Sequence, residues 1–451
     1  MAHTMPLTAE TPVGVKAWQE RIVRAHNDGE SLDLRGFQSK AFLTGQRLHA
    51  NLTPISTAGL GQSIEHEPSE LFVRVQSATN LNDVQAVLEK AGQCLAFEPP
   101  NFSEVANSSI GGLVAAGLSG PARVSSGSLR DHVLGVSLIN GLGEYLQFGG
   151  QVMKNVAGYD VSRLLCGSWG MLGLITEVTF KVLPKAPCEL SLQVITSQPQ
   201  ALSLLAQWGT RAWPLNASVW EPHKPHKPHE SQGSQGSQGT QGLGSDRDHS
   251  SSPQQGLWTL RFRGAVASVR ASVASLLAEF KHLGLVSSEL TAEEAHAYWM
   301  SVKDQRHRFF ASPTPHGTLQ ITLEEASAKS SFEQPVLWRL SLPLSLQHRS
   351  DILPLFASNA FTEWHGALRW FWAPLSQGLT LRQEAIALGA QLTLWKTSSI
   401  LDPQEQNLGA DPRTLASLFR PALTKTSTQL NKRIQQAFDP KGVFYNGCLF
   451  E

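Results

Sequence analysis

Between positions 158 and 173 the chain reads GYDVSRLLCGSWGMLG, with glycine at 158, 167, 170 and 173. A plain strand follows, in which Val178, Phe180 and Val182 alternate with Glu177, Thr179 and Lys181. Each glycine gives up backbone entropy that an alanine would have kept, so a run this dense means that the chain must pass close to something. Two earlier segments share the habit, RGFQSKAF at 35–42 and SIGGLVAAGLSG at 109–120. Loops of this kind let backbone approach a ligand and aim successive N–H groups at an anion, which suits a pyrophosphate. The pattern GxxxxGK[ST] and a strand-linked GxGxxG with an acidic residue about twenty positions on are both missing, which excludes the P-loop and Rossmann readings. Tight turns in a compact sheet protein remain the alternative for any single segment.

At 451 residues the chain exceeds what one core serves, so two domains are expected. Apolar residues make up 41% and charged residues 16%, as in a soluble enzyme-like protein. Lys and Arg number 37 and Asp and Glu number 37, so no net field recruits nucleic acid or an anionic membrane. Cys94, Cys166, Cys188 and Cys448 are scattered without a CxxC pair, which fits neither a disulfide framework nor a zinc or iron–sulfur site. A reducing cytosol is the simplest setting. The beginning MAHTMPLTAETPVG lacks the features of a secretory signal, and no segment reaches the ~20 apolar residues of a membrane span. Membrane association is therefore expected only through partners.

Helical spacing of Val15, Trp18, Ile22 and Val23 predicts an opening helix, LDLRGF a short strand, and LFVRV at 71–75 a second strand. Asn80 is placed to cap a helix whose stripe is Leu81, Val84, Leu88 and Ala91, and Cys94–Phe97 reads as a further strand. Val133–Ile139 and Tyr145–Phe148 flank a turn beginning Asn140-Gly141, a hairpin. Pro184 and Pro187 mark a domain boundary. Beyond it LSLQVI, Ala201–Trp208, SVW, GLWTLRFRG, the helix from about Ala265 to Leu283, VLWRLSLP and a long final helix ending near Phe438 form a second α+β domain. A low-complexity tract at 221–255, with HKPHKPH and SQGSQGSQGTQG, interrupts it. The interleaved prolines favour an extended linker over a metal role for His223, His226 and His229, so no metal is expected.

Taken together, SKAF, EPP, GGLVAAGLSGP, FGGQVMKNVAGYD and GSWGMLGLITEV, with fainter matches at LWRLSLP, GALRW and FDPKGVF, resemble a known family. They are similar to the FAD-binding E subunits of bacterial glycolate oxidase, within the vanillyl-alcohol oxidase (PCMH-type) superfamily. The resemblance implies a PCMH-type FAD-binding domain of two α/β subdomains at 12–187. A ferredoxin-like α+β cap domain at 188–438 and a tail at 439–451 returning toward the flavin would follow. It places Gly36, Gln38, Ser39 and Lys40 in a first diphosphate loop, and Ile110, Gly111, Gly112, Gly117, Gly120 and Pro121 in a second wall. Ser126, Gly127, Arg130 and Asp131 would lie beside that wall. Gly158, Tyr159, Asp160, Gly167, Ser168, Gly170, Gly173 and Ile175 would close around the cofactor. Arg130 and Asp131 could instead form an ion pair, Tyr159 could be a packing aromatic and Cys166 reads as an inert buried thiol. No histidine suits a covalent flavin link, so FAD is expected to be non-covalent.

Oxidising a 2-hydroxy acid needs a proton acceptor, a cation for the carboxylate and a flavin to receive hydride. The HxGDGNxH-like metal segment of full catalytic relatives is missing. Arg339 and Arg369 stand in family-like wording and could pair with a carboxylate, or brace the cap with salt bridges. His307 is a further candidate for handling protons, or a packing residue. Two departures bear on the site. Gln391 stands where the family has a histidine, in GAQLT, and FYNGC places Tyr445 and Asn446 where an Asn-Pro pair is expected. The resemblance implies the FAD-binding subunit of a glycolate oxidase complex, oxidising glycolate to glyoxylate beside a second flavoprotein subunit and an iron–sulfur subunit. It would be cytoplasmic, or peripheral to the inner membrane through those partners. The rivals are a self-sufficient FAD-dependent 2-hydroxy acid dehydrogenase, D-lactate-like, and an assembly subunit without cofactor.

Overall fold

The structure, a computed structural model, describes residues 13–44, 52–102, 108–150, 160–222, 254–311, 335–352, 360–396 and 417–444. Helix Gly14–Asp28 buries Trp18, Ile22 and Ala25 against Leu32, Ile55 and the tail residues Val443 and Phe444. Strand Leu32–Arg35 pairs in parallel with Thr53–Ser56. A five-stranded antiparallel sheet follows in the spatial order Ile64–Glu67, Phe72–Gln76, Leu174–Lys181, Val133–Ile139, Tyr145–Gly149. The second of these begins one residue later than the sequence suggests, because Leu71 adopts a left-handed φ of 56°.

Helices Leu81–Lys90 and Ile110–Ala116 cover the sheet. Asn80 caps the first by accepting from Asn82 N at 3.1 Å. Their apolar stripes, Leu81, Val84 and Leu88 with Ile110, Leu113 and Val114, meet Val73, Val75, Val178 and Phe180 in one core. Each such side chain contributes about 1.5–3 kcal/mol of burial. The strand expected at Cys94–Phe97 is confined to Gln93–Cys94, which pairs with Leu183–Pro184; Glu98 then turns the chain with a φ of 50°.

The second domain is an eight-stranded antiparallel sheet. In chain order Cys188–Ser197, Leu215–Pro222, Gln255–Gly264 and Ser287–Glu289 lie side by side as fourth, first, third, second, the ferredoxin-like order. Helices Gln198–Trp208 and Val266–His282 join them and bury Trp208, Trp258 and Phe280 together. The sheet continues as second, third, first, fourth through Phe361–Glu363, Leu368–Pro374, Pro335–Ser341 and Gln391–Lys396. The cap is thus two ferredoxin-like strand sets joined along their second strands, at Trp220 opposite Thr362. Residues 223–253 lie outside the described residues, as do the three histidines of HKPHKPH. The strands flanking that tract pair as far as Pro222 opposite Gly256, so it occupies the connection of a hairpin.

A buried charge cluster docks the two domains. Glu98, on the first, accepts from Arg261 Nη2 at 2.8 and 2.7 Å and from Arg263 Nη1 at 2.5 Å, both on strand Gln255–Gly264. Ala122 N donates to the same carboxylate at 3.0 Å. Burial alone would raise the Glu98 pKa, but the two arginines hold it down at about 2. Arg261 also lies 4.5 Å from the Trp299 ring centre and donates to Asn216 Oδ1 at 2.7 Å. Asn101 N donates to Asp304 Oδ1 at 2.9 Å, and Trp364 Nε1 to Gly120 O at 3.0 Å.

Candidate functional site

Loop Arg35–Ala41 leaves strand Leu32–Arg35 and walls a groove of about 840 Å³, with Ser109, Gly112, Ala115, Gly170 and Phe444 opposite. Gln38 holds a left-handed φ of 55°, and a Cβ on Gly36 would lie 2.7 Å from Ser109 Oγ, so the loop sits hard against the second glycine segment. Lys40 is buried, and among the described residues its ammonium finds only the hydroxyls of Ser39 and Ser108, at 3.2 and 3.1 Å, and no carboxylate. Burial pulls its pKa down to about 8. A buried ammonium without a carboxylate, beside glycine backbone in a long groove, fits the diphosphate of FAD.

The other expected cofactor residues divide. Segment 167–170 runs along the end of helix Ile110–Ala116, Gly167 N donating to Val114 O at 3.0 Å and Trp169 N to Ala115 O at 2.8 Å. A Cβ on Gly117 would meet Gly167 N at 2.8 Å, one on Gly120 would meet Glu98 O at 2.4 Å, and one on Gly173 would meet Ile139 O at 2.7 Å. Gly111 abuts Ser77, and Ile110 and Ile175 are buried. Most of the glycines therefore serve contact between chain segments, while Gly36, Gly112 and Gly170 line the groove. Ser168 is buried with its hydroxyl unpartnered.

Ser126, Gly127, Arg130 and Asp131 line neither this groove nor the interdomain cleft. Asp131 accepts from Ser128 N and Oγ at 2.8 and 2.7 Å as a helix-capping pair, and forms no ion pair with the exposed Arg130. Asp160 is exposed and caps helix Val161–Leu164. Gly158, Tyr159, Tyr445 and Asn446 lie outside the described residues. Burial pushes the Cys166 thiol up to about 12, leaving it unreactive at neutral pH.

A second cleft of about 440 Å³ opens between Gly117–Pro121 on the first domain and the far half of the cap sheet. Arg339 projects into it, with Trp364, Trp370 and Trp395 ring centres 5.4, 5.9 and 5.6 Å from its guanidinium carbon. Arg123 reaches the Trp364 ring from the first domain, at 4.7 Å. Among the described residues neither arginine comes within ion-pair distance of a carboxylate. Burial, with Arg123 nearby, lowers the Arg339 pKa to about 10. Trp364, His365 and Gly366 have consecutive left-handed φ values of 53°, 54° and 101°, a strained turn that aims Trp364 at the cleft. Glu363, just before it, is 5% exposed and accepts from Trp370 Nε1 at 2.7 Å. Burial raises its pKa to about 7.

Arg339 and Arg369 part company because side chains alternate along paired strands: Arg339 stands opposite Trp370, whereas Arg369 stands opposite Leu340, on the other face. Arg369 donates to the carbonyls of Arg349 and Gln347 at 2.8 and 3.3 Å and braces that loop. His307 lies in the aromatic core, Nε2 3.3 Å from Glu221 Oε2, and lines neither cleft. Gln391 is exposed on an edge strand. Arg123, Glu363 and Trp364 escaped the sequence reading; FTEWHGALRW carries the last two without a spacing that marks them.

The family model described as FAD binding domain matches residues 12–149. Over 439 residues, 96% of this chain and 97% of its relative, the chain is 31% identical to the glycolate oxidase subunit GlcE of Escherichia coli (strain K12). The chain belongs to the glycolate oxidase E-subunit family. This places it among FAD-binding oxidoreductases of the PCMH type, and it binds FAD. Shorter likenesses cover about a quarter to a third of each partner. The glycolate oxidase subunit GlcD of Bacillus subtilis (strain 168) is 34% identical over 126 residues, 28% of this chain and 26% of its own length. A D-lactate dehydrogenase of Anaerostipes hadrus is 33% identical over 138 residues, 31% and 28% respectively. A solved structure of alkyldihydroxyacetonephosphate synthase superposes with TM-score 0.60 over 96% of this chain and 74% of that one, at 12% identity, a likeness of fold. Among the described residues, no helix is long and apolar enough to cross a membrane.

Proposed function

We propose that this chain is the FAD-binding subunit of a glycolate oxidase complex in which glycolate is oxidised to glyoxylate. Electrons pass through FAD to an iron–sulfur subunit, beside a second flavoprotein subunit. Any association with the inner membrane comes through those partners. The observation that carries the reading is the interdomain cleft, where two guanidinium groups without carboxylate partners among the described residues face a cluster of tryptophans. FAD, when bound non-covalently, supplies the two-electron acceptor. The chain supplies position: loop Gly36–Lys40, Gly112 and Gly170 hold the diphosphate, and Arg339 seats the substrate carboxylate by a two-pronged hydrogen bond.

Two substitutions test the two halves of this reading. Lys40→Met removes one charge-assisted contact, worth about 1–3 kcal/mol, so FAD should bind the apoprotein about 10–100-fold more weakly in a fluorescence titration. An unchanged affinity removes the diphosphate assignment. Arg339→Met, in the complex purified with its two partner subunits, should lower kcat/KM for glycolate about 100-fold or more with FAD content unchanged. Full turnover by that variant sinks the carboxylate assignment. Dye-linked turnover by the isolated wild-type chain would instead favour a self-sufficient dehydrogenase.

A further inference from the structure

We propose that the interdomain cleft takes up a small 2-hydroxy carboxylate together with a proton, and that Glu363 is the group that holds the proton. The inference rests on the cleft being the substrate site and adds to it the ionisation state in which the site binds. Glu363 is the one acidic side chain among the described residues lining the cleft. An arriving carboxylate must share with it an open cleft whose walls include Phe102, Leu368, Trp370 and Trp395. Two carboxylates side by side favour sharing a proton when one of them is buried without a cation of its own.

The surroundings settle which one gives way. The incoming anion has Arg339 and Arg123 to itself, since neither is paired with a carboxylate among the described residues. Among the described residues Glu363 has one bonded partner, the neutral donor Trp370 Nε1 at 2.7 Å. The other charged groups facing this region are committed. Lys303 at the cleft edge is 3.0 Å from Asp304, and Tyr298, on the neighbouring helix Ala292–Lys303, stays neutral because burial and then Glu221 and Glu363 raise its pKa. Even without a ligand, burial brings the Glu363 carboxyl to about 7, against the opposing pull of Trp370 and Arg339. A nearby anion raises it further, so at neutral pH the ligand arrives with a proton. One Glu363 oxygen stays on Trp370, and the protonated other can donate a hydrogen bond to the ligand. The sign follows: affinity is greatest below the pKa of the empty site and falls as pH rises through it.

The experiment is calorimetric titration of oxalate, a small carboxylate that is not a hydroxy acid, into the FAD-loaded chain. Between about pH 6 and about pH 8.5 the protonated fraction of a group with pKa near 7 falls about 30-fold, and the affinity should fall with it. Repeating the titration near neutrality in buffers of different ionisation heat should reveal proton uptake. Glu363→Gln, which mimics the protonated carboxyl, should bind at both pH values about as tightly as wild type does at the lower one. Equal wild-type affinities across that range without proton uptake, or a Glu363→Gln variant that keeps the pH slope, overturn the proposal. No oxalate binding at either pH overturns it too, and takes the substrate site with it. Should the variant fail to fold, proton uptake by the wild-type chain still decides.

Discussion

Glu98→Ala should destabilise the docked two-domain fold by about 3 kcal/mol or more, because it strands the Arg261 guanidinium in a buried interface, while Arg263 keeps Glu189. Arg261 and Arg263 both aim at that carboxylate, and Arg261 is itself only 1% exposed, so water cannot replace the lost partner. The depressed Glu98 pKa expresses the same contacts and gives a similar size. Its fall from 4.5 to about 2 corresponds to roughly 3 kcal/mol, present above the unfolded value and lost as pH drops through the folded one. Wild type should therefore weaken between about pH 4.5 and pH 2 by an amount that Glu98→Ala has already lost. Denaturant midpoints of both proteins at neutral pH, with an acid titration by near-ultraviolet circular dichroism, measure this. Matching midpoints would show the cluster to be neutral. The double variant that adds Arg261→Met should regain much of the loss, since it removes the stranded charge and leaves the Arg263–Glu189 pair in place.

Gly117→Val should be nearly as damaging and should empty the flavin site as well. A left-handed backbone costs a β-branched residue about 1–2 kcal/mol before any clash. Here the added Cβ also falls 2.8 Å from Gly167 N and 2.9 Å from Gly167 Cα, which are backbone atoms of the segment zipped against helix Ile110–Ala116. Parting the two segments disturbs the groove on one side and the cleft on the other. The total should reach about 3 kcal/mol or more, and the purified protein should carry little FAD by its absorbance ratio. Gly92→Ala is the comparison: Gly92 has a similar φ of +66° but nothing within 4 Å of the added atom, so about 1 kcal/mol and full flavin content are expected. Equal behaviour of the two variants would mean that backbone conformation alone, without the close approach, sets the cost.

Features written in neighbouring residues were legible before the structure. Asn80 and its stripe gave the helix at Leu81–Lys90, and the alternation around Val178 gave the central strand. The hairpin around Asn140 and most strands of the cap were legible too. Family wording supplied FAD and the ferredoxin-like pattern, and strand order then revealed that the pattern occurs twice. What stayed hidden was pairing at long range. Nothing in EPP says that Glu98 meets Arg261 and Arg263 on another domain, and nothing in FTEWHGALRW says that Trp364 lies between two arginines. Arg339 and Arg369 looked equivalent because sheet register, which no single strand encodes, assigns them to opposite faces. Glycines were read as ligand contacts where many are contacts between segments, because either use leaves the same letter.

The seam at Trp220 and Thr362 divides labour within the cap. Arg261, Arg263 and Asn216, which carry the charged and amide grip on the first domain, lie in the strand set before it, whereas Arg339, Glu363, Trp364, Trp370 and Trp395 lie in the set after it, where Trp364 adds one bond to Gly120 O. Mutational drift that reshapes the chamber for another acid can thus accumulate on one side of that line while the charged anchorage on the other is left untouched. Such a layout gives selection two separately adjustable modules inside one continuous sheet.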